Sequence, residues 1–119
     1  MTLVEVMIAA ALMTMALAGL LATLMISKQH ATATDHRLTA LQFARGHMEQ
    51  LMDYNYDNAA LSLGTHSLPN RTNNNCVFYS LYQASTSSYP RTKDLEVKVS
   101  WRNPVKTNMS SIILRSTMS

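Results

Sequence analysis

Hydrophobic positions fall into three regimes along the chain, and each predicts a different element. The first is continuous. Residues 1–27, MTLVEVMIAAALMTMALAGLLATLMIS, carry one ionisable side chain, Glu5. From Val6 to Ile26 neither charge nor proline interrupts a run rich in Leu, Ala and Met, and Gly19 is its only helix-weakening residue. Those 21 residues make a helix about 30 Å long at ~1.5 Å per residue, enough to cross a hydrocarbon core. The second regime is amphipathic. Over residues 28–54 the apolar positions Leu38, Leu41, Ala44, Met48, Leu51 and Met52 recur at steps of three and four, which makes one stripe on a helix. Gly46 within it costs ~1 kcal/mol and is tolerable. The pattern therefore predicts a single helix from about residue 2 to 54, some 80 Å long at the usual rise, with one face of its second half laid on a domain.

The third regime alternates. Three β-rich runs follow, VFYSLYQAS (77–85), DLEVKVSW (94–101) and SSIILRS (110–116). In the middle one Leu95, Val97, Val99 and Trp101 oppose Glu96, Lys98 and Ser100, so one face is buried and the other wet. SSYPRTK and RNPVKTN supply turns, with Pro90 and Pro104 just outside the strands. Residues 55–76, punctuated by Asn, Gly and Pro, read as a long connection. The expected fold is α+β: a long amino-terminal helix packed on a small antiparallel sheet (77–119), which buries both apolar faces in two layers.

Charge is shared unevenly. All ten Lys/Arg, all four His and six of the seven Asp/Glu lie beyond residue 27. The net charge of +3 is mild, and no two Lys/Arg are adjacent, so no nucleic-acid partner is expected. Cys76 is the single cysteine, which excludes an internal disulfide and a multi-cysteine zinc site and reads as a buried small apolar residue. His30, His36, His47 and His66 lack metal-ligand spacing and are expected at the surface. Asp53–Asn58, DYNYDN, places oxygens at alternate positions like the head of a calcium loop. It has Asn58 where that loop needs glycine and Gly64 where it needs the closing acid, so a capped helix end fits better. Asn70 and Asn108 head glycosylation sequons, which chance also produces. No triad, phosphate-binding glycine loop or carboxylate pair is found; the expectation is a protein with no catalytic residues, no cofactor and no metal.

Glu5 poses the remaining question. A carboxylate in lipid costs ~2.5 kcal/mol or more unless neutralised. A secretory signal peptide fits poorly, because nothing basic precedes the apolar run. Lys28 and Arg37 alone would draw the following domain into the cytoplasm, unless a basic leader once preceded Met1. If Met1 carries a free α-amino group and helices pack in a staggered array, Glu5 of one copy meets the ammonium of the next. At ~4 Å and an effective dielectric of ~20 that attraction is about 4 kcal/mol before desolvation, and a slip of one turn would strand two charges. Glu5 thus becomes a register pin.

Met1, Thr2, Leu3, Val4, Glu5, Val6, Met7, Ile8, followed by an unbroken apolar helix, resembles the amino terminus of type IV pilins and type II secretion pseudopilins. The strand pattern Val97-x-Val99-x-Trp101 is similar to that of minor pilins. The resemblance implies that a prepilin peptidase removes a basic leader, that the new amine on Met1 is methylated, and that Met1, Thr2 and Glu5 govern assembly and register. It implies helix packing through Leu3, Val4, Val6, Ile8, Leu12, Leu17, Leu20 and Leu24. The partners would be copies of the chain and other pilins. Location would be the inner membrane first, then a surface filament, or the periplasm for a pseudopilus. Two family positions differ, Thr14 standing for glycine and Ala22 for proline, and the paired cysteines of many major pilins are absent. The rival expectation is a monomeric membrane-anchored binding module.

Overall fold

The computed structural model describes residues 2–102 and 108–119. The fold is α+β, with helix α1 (Leu3–Met52) followed by a five-stranded antiparallel sheet. The chain divides into two units, Met1–Thr34 and Asp35–Ser119. α1 is unbroken through Thr14, Gly19 and Ala22.

Within Asp35–Ser119, the strands are β1 (Gly64–Ser67), β2 (Arg71–Asn73), β3 (Cys76–Thr86), β4 (Lys93–Arg102) and β5 (Met109–Met118). Their order is β1-β3-β4-β5, with β2 also pairing β3. The register sets Phe78 opposite Trp101, Ser80 opposite Val99, Tyr82 opposite Val97 and Ala84 opposite Leu95. Because side chains alternate along a strand, these pairs all share one face, and all are buried. The alternation of Leu95, Val97, Val99 and Trp101 is thus borne out. Pro90 lies in the β3–β4 turn; Pro104 falls at 103–107, outside the described residues.

Ala40 and Ala44 are completely buried and join Met48 and Leu51 in the core that the sheet covers. Phe43 meets Phe78 edge-on at 5.4 Å, and Phe78 reaches Trp101 at 6.1 Å, spacings that favour aromatic pairs.

The helix stripe needs correction. Ala44, Met48 and Leu51 are buried as expected, but Leu38 is 54% and Met52 47% exposed. The buried line runs instead through His36, Ala40, Ala44, His47, Met48 and Leu51. Its steps of three and four put two histidines in phase with the alanines, so helix geometry overrides side-chain polarity. His36 and His47 are therefore not surface residues, whereas His30 is exposed. His36 packs beside Phe78, with ring centroids 6.3 Å apart.

The connection after α1 is more structured than its composition suggests. Asn58 caps a short 3₁₀ turn, Ala59–Leu61, by accepting from the Ala60 N–H at 3.0 Å. Leu61 is fully buried, and the Tyr82 hydroxyl donates to the Ala60 carbonyl at 2.7 Å. Lys93 Nζ donates to the Tyr56 carbonyl at 2.7 Å. DYNYDN is thus a helix-end turn sewn to the sheet. Gly64, with φ of 135°, admits the chain to β1 in a conformation closed to other residues.

β2 and β3 form a hairpin in which Asn73 pairs with Cys76 across Asn74 and Asn75, whose φ values are 47° and 60°. Two left-handed residues in a two-residue loop define the type I′ geometry, for which Asn-Gly is the best sequence. Asn75→Gly is expected to raise stability by about 0.5–1 kcal/mol, and Asn75→Val to lower it by about 1–2 kcal/mol. Denaturant midpoints of the full chain in detergent check both signs.

Candidate functional site

The apolar first part of α1 holds the residues on which the sequence focuses attention. Met1 lies outside the described residues. The Thr2 carbonyl accepts from the N–H groups of Glu5 (3.1 Å) and Val6 (3.4 Å), starting the helix. Glu5 occupies the first turn, where the helix dipole favours a negative charge. Its exposed side chain is open to an approaching partner.

The eight predicted packing residues, Leu3, Val4, Val6, Ile8, Leu12, Leu17, Leu20 and Leu24, are all more than half exposed, between 52% and 78%. Met7, Met13, Met15, Leu21, Met25 and Ile26 are exposed as well, so the apolar surface surrounds the helix. A helix that is hydrophobic all round requires lipid or other helices about it. This one is long and apolar enough to cross a membrane. Two of its hydroxyls find partners on the helix itself. Thr14 Oγ1 donates to the Ala11 carbonyl at 2.8 Å and Thr23 Oγ1 to the Gly19 carbonyl at 2.9 Å. With those hydroxyls bonded to their own helix, Glu5 is, among the described residues of the segment, the one whose charge calls for a partner.

Cys76 is buried, its thiol donating to the Arg102 carbonyl at 3.6 Å, and burial pushes its pKa up. A protonated, covered thiol is a poor nucleophile. His66 is half-buried and stacked on Tyr82 at 4.8 Å. Its Nε2 is 2.9 Å from the Ser62 carbonyl, which makes it a structural residue. Asp94 and Glu96 on β4 are taken up by Thr117 (2.9 Å) and Arg115 (2.7 Å) of β5.

Folding also shifts the titration of His47. Burial, and then the nearby Arg71 guanidinium, hold its pKa below the ordinary value of 6.5. The unfolded chain then takes up a proton that the folded chain declines. The contribution to stability is complete above the ordinary value, falls as pH drops through it, and levels off below the folded pKa. The thermal midpoint of the full chain in detergent is expected to fall between about pH 7.5 and 5, and His47→Gln to flatten that dependence.

Comparisons with protein-family models, curated proteins and solved structures found no match to this chain.

Proposed function

We propose that the protein is a non-catalytic structural subunit of the type IV pilin or pseudopilin kind, polymerising through the first part of α1 into a pilus or pilus-like filament. The observation that carries this reading is the all-round exposure of an apolar helix with a single acid, Glu5, in its first turn. Before assembly, lipid covers that surface. In the filament, neighbouring copies cover it, and each Glu5 is neutralised by the α-amino group that processing ahead of Met1 creates. Thr2 and Glu5 set the register, and Leu3 to Leu24 supply the buried area. Asp35–Ser119 forms the outer shell. The α+β fold of long amino-terminal helix and antiparallel sheet supports the reading, being the architecture that the resemblance implies.

Immunogold labelling against the sheet unit tests it. Decoration along filaments of the cell surface, or of the periplasm on overproduction, is the expected result. Label confined to membranes, with no labelled filament in either place, would instead support a membrane-anchored binding module.

A further inference from the structure

Arg71 of β2 and His47 of α1 meet at a small cavity that the assembly reading leaves unused. Its volume is about 80 Å³, and Gln42, Phe43, Gly46, His47, Gln50 and Arg71 line it. The Arg71 guanidinium is 5.4 Å from the centre of the Phe43 ring, a cation–π contact that steadies it over the helix. Gly46 lies between Phe43 and His47, and a Cβ there would meet nothing within 4 Å. The glycine answers to no packing demand and leaves the cavity open.

The polar bookkeeping of this cavity does not close. His47 is 5% exposed and its Nε2 has no hydrogen-bond partner, although the Gln50 side chain lies near enough to favour the charged ring. Arg71 has no acidic partner among the described residues, and no carboxylate lines the cavity. The charged groups nearest in sequence on α1, Arg45 and Glu49, are exposed and outside the lining, and β3 contributes no titratable group to it. A buried polar nitrogen without a partner is costly; Arg71, like Gln42, Gly46 and Gln50, is exposed, so the cavity opens to solvent and an ion can enter it. Arg71 repels a metal ion, and an apolar ligand would leave His47 unsatisfied. The space equals two or three waters at ~30 Å³ each, or one small oxyanion.

We propose that this cavity binds a small oxyanion, held between the Arg71 guanidinium and the protonated His47 ring, with the Gln42 and Gln50 amides beside it. Arginine is suited to the task because its planar fork matches carboxylate and sulfate geometry. The bound ion ties β2 to α1. Binding and protonation are reciprocal: the anion favours charged His47, so affinity rises as pH falls.

The test follows the His47 ring protons by NMR in the full chain in detergent, at constant ionic strength held with sodium chloride. The probes are sulfate, acetate and a capped aspartate. The expected result is a saturable shift of the His47 signal, with affinity about tenfold higher near pH 5.5 than near pH 7.5. Arg71→Gln should abolish it. So should Gly46→Leu, which fills the space while favouring the helix, and Arg71→Lys should weaken it. Tightest binding by sulfate identifies a free inorganic ion; tightest binding by capped aspartate identifies a side chain of another protein molecule. A linear shift without saturation, equal affinity at both pH values, or binding retained in Arg71→Gln would each overturn the proposal. None of these outcomes depends on filament formation.

Discussion

Glu5→Ala is expected to abolish filaments while leaving the protein in the membrane. The proposed contact between Glu5 and a neighbour's amine is worth about 4 kcal/mol before desolvation, and 1.4 kcal/mol is a factor of ten. Loss of even most of that energy weakens each subunit addition by about two to three powers of ten. The deficit recurs at every addition, so polymerisation fails rather than slows. Insertion responds in the opposite sense, because removing a carboxylate from an apolar helix relieves ~2.5 kcal/mol or more. Glu5→Gln should resemble Ala in assembly, since its amide keeps the shape without the charge. Counting filaments alongside membrane fractionation separates the two effects. Normal filament numbers in Glu5→Ala would remove the acid from the assembly mechanism.

Phe78→Ala is expected to destabilise the unit Asp35–Ser119 by about 3–5 kcal/mol. Phe78 is fully buried on the inner sheet face, where it meets Phe43, His36 and Trp101. Truncation leaves a cavity beneath α1 and removes three ring contacts. Domains of this size have about 5–15 kcal/mol in all, with small ones toward the lower end. Near-ultraviolet circular dichroism should therefore lose its tertiary signal at a much lower denaturant concentration. Tyr79→Ala, on the opposite face of the same strand and 44% exposed, is the control and should change little.

How much of this was legible in the sequence depends on the kind of interaction involved. Leu95, Val97, Val99 and Trp101 announce β4 because burial on one face requires apolar residues at every second position. β1 and β2 carried no such pattern. GTHS and RTN are short and polar, and they join the sheet through backbone hydrogen bonds to β3, which any side chain permits. A local signal did exist at Asn74-Asn75, whose tolerance of left-handed φ marks a tight hairpin. On α1, the apolar stripe led to Leu38 and Met52 when the true face passes through His36, Ala40 and His47. Alanine and histidine weigh little on a hydropathy reading, yet their spacing places them on the buried line.

The two candidate sites differ in the same way. Glu5 stands out in sequence because its charge contradicts its surroundings, and that contrast is visible without a fold. The His47–Arg71 cavity could not be read there. It joins α1 to a strand distant in sequence, through the pairing of Arg71 with Phe78, and neither residue is unusual alone.

The central claim is that the first part of α1 is covered by the same segment of other copies. Single cysteines at Leu12 or Leu20, in a Cys76→Ser background, measure this directly when intact cells are treated with a short membrane-permeant bis-maleimide. The account predicts a ladder of cross-linked products extending well beyond the dimer, which disappears when Glu5→Ala is added. Monomer alone, at both positions, in cells shown to contain the protein, would contradict it.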